Sequence, residues 1–358
     1  MPAPILTLVT GFPSTLFAVL GGVSVALSIR RFQDSGQHLR ATLTVAVRGL
    51  LIAVIGALLA IAPSMVILVL VYYGATMIVL AVIVNLKSWM LLTLTTLLVV
   101  LGPQLNVVVF NAPDQDTIGE LSFTSPLAFL RTVAFTGMDP VITWLGYMIV
   151  GLLIGRWALA RRSDGRGTTG PRLLGVGSVL LLLGVASDLA SRPAVVDFPQ
   201  WRRSIPENCR RDGGRRAGLC SSSRGGWIAL MNAAPHTGST ADMIRTMGAA
   251  IPVLGLLLWG TAKSRPMNVP MRVLQKAGSA PLTIYVAHVL STSLMMAAVD
   301  AGASSYSAWW ASGPGALALQ YLGICALGIL LAGLSRRGPL ESAVSGVTRR
   351  IVGLLPGS

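Results

Sequence analysis

Residues 41–62 read ATLTVAVRGLLIAVIGALLAIA. Arg48 is the single charged side chain in this stretch, and its apolar residues run on without the alternation of a half-buried strand. Coiled at 1.5 Å per residue, it reaches about 33 Å, enough to cross a hydrocarbon core about 30 Å thick. Pro63 then turns the chain, and MVILVLVYYGATMIVLAVIVN at 65–85 repeats the pattern. Windows of about 19 residues moved outward from this pair give candidate spans at 11–29, 41–62, 65–85, 88–108, 140–159, 172–190, 242–262, 277–298 and 314–335. Only helices and closed barrels satisfy their own backbone hydrogen bonds in lipid, and runs of this length select helices. The expected fold is an all-α polytopic transmembrane helix bundle of about nine spans, a single membrane domain over 1–358, with 191–241 as an extracytoplasmic loop.

Composition agrees. Hydrophobic residues are 53% of the 358, charged residues 11%, and mean hydropathy is +0.70. A soluble domain uses about a quarter of its residues as charges to coat itself. The net charge of +15 could suggest a nucleic-acid binder, but no basic stretch is interleaved with aromatics as a stacking platform requires. The basic residues suit loops facing anionic lipid, so membrane lipids are expected partners and nucleic acid is not.

Those basic residues also set sidedness. Arg30, Arg31, Arg40, Lys87, Arg156, Arg161, Arg162, Arg166, Arg172, Lys263, Arg265, Arg272, Lys276, Arg336, Arg337, Arg349 and Arg350 all fall on one side when the nine spans alternate. By the positive-inside rule that side is the cytosol, which puts the amino terminus outside and the carboxyl terminus inside a plasma membrane. The segment 109–139 on the other side carries Asp114, Asp116, Glu120 and Asp139 against Arg131. The arginines of 191–241 do not overturn this, since long loops cross regardless of charge. No positive n-region precedes the first span, because residues 1–29 carry no charge, so no cleavable signal peptide is expected.

The three cysteines have no metal-ligand spacing, and no metal is expected. Cys325 lies within an apolar span and is expected to pack. Cys209 and Cys220 share the long outer loop, where a disulfide between them could persist.

Each ionisable group inside a span costs about 2.5–3.5 kcal/mol on insertion scales and needs a reason. His288 lies about 16 Å along the eighth span, near the bilayer midplane. Pro281, Tyr285, His288 and Thr292 recur at helical spacing and share a face, flanked by Thr283 and Ser291. An imidazole with a phenol one turn away can pass a proton; equally, such a histidine can bond a neighbouring helix and join the bundle. PHTGST at 235–240 leads into the seventh span, where Ser239 and Asp242 fit a capping box. The cap accounts for Ser239 and leaves His236 unexplained, beside a helix start whose free N–H groups suit an anionic or oxyanionic group. Arg48 can snorkel to the cytosol, and Arg156 ends the fifth span on the same side; either could instead hold the phosphates of a cytosolic ligand. Tyr72, Tyr73 and Gly74 lie mid-span where phenols need partners, Gly21 and Gly22 allow close helix approach, and Trp309 and Trp310 suit an interfacial belt.

GFPSTLFAVLGGVSVAL (11–27), VLVYYG (69–74), WLGYMIVGLLIGR (144–156), PHTGST followed by Asp242, and GSAPLTIYVAHVL (278–290) occur in an order that resembles bacterial relatives of heparan-α-glucosaminide N-acetyltransferase. The resemblance covers nearly the whole chain apart from the Arg-rich loop. It implies transmembrane acyl transfer at a bacterial inner membrane. Acetyl-CoA or another acyl-CoA would be co-substrate rather than a tightly bound cofactor, and a sugar of an extracytoplasmic cell-envelope glycan or glycolipid would be the acceptor. On this reading His288 and His236 are the proton-transfer residues and Asp242 orients. Tyr285, Thr283, Arg48, Arg156, Ser239 and Tyr73 line donor or acceptor, and a homodimer is possible. Family members open with a further helix carrying Asp-x-x-Arg-Gly and then a histidine. That stretch has no counterpart after Met1, so the expectation is an internal start or an incomplete site. An envelope lipid flippase and a non-catalytic scaffold are the alternatives; a flippase is expected to carry an internal repeat, and none is seen.

Overall fold

The computed structural model describes residues 11–62, 68–110, 125–163, 169–196, 230–231, 233, 238–261, 269–302, 308–311, 313–334 and 337–355. Their regular structure is helical: α1 Phe12–Asp34, α2 His38–Leu59, α3 Val69–Ile83, α4 Ser88–Phe110, α5 Pro126–Arg131 running into a π-turn at Thr132–Thr136, α6 Val141–Ser163, α7 Thr169–Val196, α8 Thr240–Thr261, α9 Val269–Gly278, α10 Pro281–Asp300, α11 Gly313–Gly333 and α12 Pro339–Gly353. Eight of these are long and apolar enough to cross a membrane. The protein is an all-α, multi-pass membrane helix bundle. The expected span at 65–85 is represented by α3, of 15 residues, with 63–67 outside the described residues.

The chain divides into two compact units, Met1–Ala46 with Ala75–Lys263, and Val47–Gly74 with Ser264–Ser358. In the first, α1 crosses α6 at backbone contact. A side chain at Gly22 would run into the carbonyl of Met148, and one at Gly151 into that of Val19. Small residues are what allow such approach between helices in lipid, where packing rather than water exclusion drives association. α7 and α8 pair in the same way: Gly177 receives the ring of Pro252 and Gly184 the backbone of Arg245. Trp144, Met148 and Leu152 of α6 are wholly or nearly buried at the centre of this unit.

Pro103 lies inside α4. A proline lacks the N–H that would bond the carbonyl four residues back, here that of Val99. The hydroxyl of Thr240, at the start of α8, donates to that carbonyl at 3.0 Å. The carbonyl freed in one helix thereby anchors the first turn of another.

In the second unit, Gly328 of α11 sits against the Val273 carbonyl and Ala277 of α9. Pro281 and Pro339 open α10 and α12, each at a position where the missing N–H costs nothing. Glu341 of α12 closes the start of α10: its carboxylate accepts from Leu282 N at 2.6 Å, Thr283 N at 3.0 Å and Thr283 Oγ1 at 2.6 Å. α9 and α12 are short and amphipathic, and windows of 19 residues pass over them. α9 exposes Val269, Met271 and Leu274 beside Arg272 and Lys276, the composition of a helix lying in a lipid interface. Cys325 is a correction: it is exposed on α11, so it faces outward from the helix instead of packing.

Candidate functional site

In the first unit, polar side chains gather around a small cavity of about 40 Å³ between the starts of α1, α6 and α8 and the end of α4. Its walls include Ser14, Asn106, Thr143, Tyr147, Asp242 and Thr246. A water occupies roughly 10–15 Å³ on this measure, so the space takes a few waters or one small polar group.

The start of α8 supplies the charge. Gly238 adopts φ +61°, a left-handed conformation that a residue with a Cβ enters only under strain. That turn brings its N–H to Asp242 Oδ2 at 3.3 Å, while Ser239 Oγ accepts from the Asp242 N–H at 3.0 Å. The capping box is therefore half-formed as expected at Ser239; the returning carboxylate bonds the residue before the cap. Asp242 Oδ1 accepts from the Arg245 guanidinium at 3.0 Å, and both side chains are buried. A carboxylate removed from water needs this cation, since an isolated buried charge is prohibitively costly.

Around this pair stand hydroxyls, an amide and a second carboxylate, that of Asp139. Thr246 Oγ1 donates to the Asp242 carbonyl at 2.8 Å and lies 3.3 Å from Tyr147 OH. Trp144 Nε1 donates to Asp139 Oδ1 at 3.2 Å. Asn106 Nδ2 reaches Thr143 Oγ1 at 3.5 Å, and Asn106 Oδ1 is buried with no hydrogen-bond partner among the described residues. The cavity thus offers acceptors and hydroxyls to a ligand that brings N–H or O–H groups.

The opposite end of the same unit differs in character. A cleft of about 220 Å³ is lined by Arg30, Gln33, Asp34 and Arg156 with Ala26, Leu159 and Ala160. Arg30 pairs with Asp34 at 3.4 Å. Arg156 donates to the carbonyls of Leu86 at 2.8 Å and of Val84, so it caps the carbonyl end of α3. From Ser14 to Arg30 along α1 is about 24 Å at 1.5 Å per residue, nearly the depth of a bilayer core.

The remaining expected residues lie in the second unit. Arg48 and Tyr73 are brought together closely enough to interact electrostatically. Tyr285, Thr283 and His288 follow one another on α10 but have different partners. The Tyr285 hydroxyl accepts from Val69 N at 3.0 Å, and Thr283 is taken up by Glu341. His288 Nδ1 lies 3.1 Å from Gln320 Oε1 of α11. His236, Cys209 and Cys220 lie outside the described residues. Among the described residues no group of His, Cys, Asp or Glu could hold a metal ion. Four residues that the sequence did not single out matter here: Asn106 and Gln320, for which a lone amide in an apolar span was the available signal, Tyr147, and Glu341, which lies beyond the last expected span.

The sequence family described as heparan-alpha-glucosaminide N-acetyltransferase, catalytic, matches residues 1–188, just over half of the 358. No curated protein and no solved structure matches the chain.

Proposed function

Since the chain belongs to the heparan-alpha-glucosaminide N-acetyltransferase catalytic family, we propose that it moves an acyl group from a cytosolic acyl-CoA to a sugar of an extracytoplasmic envelope glycan or glycolipid. One observation carries the reading. A single helix pair, α1 with α6, has a basic cleft at one end and a buried polar cavity at the other. A cationic rim suits the phosphates of a CoA thioester, and α6 contributes Arg156 to it. A cavity of hydroxyls, amide and carboxylate, with room for one small polar group, suits a single hydroxyl or amine of a sugar, which donates.

In the reaction, the thioester C–S bond breaks and a new C–O or C–N bond forms. The acceptor's proton passes to a base, and the departing thiolate gains a proton to leave as CoA thiol. His288 is the assigned base, and His236 a second proton-transfer group. Asp242, held by Arg245 and the Gly238 N–H, orients the acceptor end. Arg48 with Tyr73 adds a cation beside a phenol in the second unit.

The test uses inverted membrane vesicles from an expressing strain, given acetyl-CoA labelled in the acetyl group. Label is expected in the vesicle glycan or glycolipid fraction, and His288→Ala is expected to abolish it while inserting normally. Movement of an envelope lipid across the vesicle membrane without label incorporation would replace this reading with a flippase.

A further inference from the structure

His288 lies about 10 Å into α10, where water is scarce and the orientation of a polar ring is set by partners within the protein. The partner comes from α11. Gln320 places Oε1 3.1 Å from His288 Nδ1, and Nε2 2.8 Å from Ser291 Oγ and 3.8 Å from Met295 Sδ. Ser291 Oγ in turn lies 2.8 Å from the His288 carbonyl and 3.1 Å from Gln320 Oε1. The serine hydroxyl has one proton and directs it best to the nearer carbonyl, while its lone pairs accept from the amide nitrogen. The amide carbonyl, which can only accept, is left facing Nδ1.

Turning the amide over would bring Oε1 against the methionine sulfur, two acceptors with nothing to share, and the contact to sulfur would be lost without replacement. The satisfied arrangement has one consequence for the ring. A neutral imidazole carries one N–H, and Oε1 demands that it sit on Nδ1. We infer that Gln320 is a positioning residue that holds His288 as the Nδ1–H tautomer, leaving Nε2 as a bare acceptor. The use of that lone pair, to take the proton of an acceptor hydroxyl or ammonium, rests on the function proposed above; the tautomer does not.

The chain has three histidines, so a protein labelled with ¹⁵N at histidine and held in phosphatidylglycerol nanodiscs gives a readable long-range ¹H–¹⁵N spectrum. His288→Asn identifies the signals of interest by their loss. A protonated Nδ1 and an unprotonated Nε2 are expected in the parent. Gln320→Leu is expected to move the pattern toward Nε2–H, the form free imidazole side chains favour, and Gln320→Glu to keep Nδ1 protonated. A parent spectrum showing Nε2–H overturns the inference without any variant having to fold, and so does a Gln320→Leu spectrum unchanged from the parent. In the vesicle assay Gln320→Leu is expected to lower kcat about tenfold or more with KM preserved. A changed tautomer with unchanged kcat would remove Nε2 from acyl transfer and leave the role of Gln320 in place.

Discussion

In the first unit α6 buries 67% of its span against neighbouring helices, whereas in the second α11 buries 11%. The unit built around α6 is held by backbone approach: glycines at the α1–α6 and α7–α8 crossings and a buried Asp242–Arg245 pair. The unit containing α11 is held by side chains that reach across to helix ends, with Glu341 on the start of α10 and Tyr285 on the Val69 N–H. Lipid offers no hydrophobic drive between helices, so each unit needs another source of cohesion. The first obtains it from contact area and one neutralised charge, the second from directed hydrogen bonds between lightly packed helices.

The contrast breaks most visibly at the charge. Arg245→Met leaves the Asp242 carboxylate buried without its cation and is expected to cost about 3–5 kcal/mol, read as a lowered midpoint of unfolding by SDS titration. Adding Asp242→Leu should return much of that loss, because an apolar pair of similar volume often replaces a buried ion pair without penalty. An uncorrected double variant would show that the carboxylate matters through Gly238 instead. Next in size is the α1–α6 crossing. Gly151→Val puts a branched side chain where the Cβ alone would already overlap the Val19 carbonyl oxygen, and is expected to cost about 3 kcal/mol by the same titration. A stability equal to the parent's would mean that the helices can separate there. The smallest effect belongs to the second unit. Glu341→Ala removes the acceptor for two backbone N–H groups and one hydroxyl, and is expected to cost about 2 kcal/mol. Amide exchange should quicken at Leu282 and Thr283 and leave α6 untouched; quickening spread through α6 would dissolve the distinction between the units.

The helices were legible because a span is a property of composition over about twenty residues, and ATLTVAVRGLLIAVIGALLAIA has the length and apolarity of one. α9 and α12 were not, since ten or fifteen residues with a charged face average out in a window tuned to spans. The cap at Ser239 was legible because its spacing is local. Its pairing with Arg245, three residues on along the same helix, is equally local; the glycine at 184, which lets α7 approach the Arg245 backbone, was not legible as such. Gln320 illustrates the remaining gap. Its chemistry is uncharged and its importance comes from lying beside a histidine 32 positions away, a proximity that no local pattern encodes.

The proline inside α4 carries an evolutionary consequence. Because Pro103 releases the Val99 carbonyl and Thr240 occupies it, the two positions constrain each other's substitutions. Restoring an N–H at 103 closes the ladder and strands the threonine hydroxyl; losing the hydroxyl at 240 strands the carbonyl. Descendants that change one site will tend to accept a compensating change at the other, so these two residues, 137 apart along the chain, should drift as a pair.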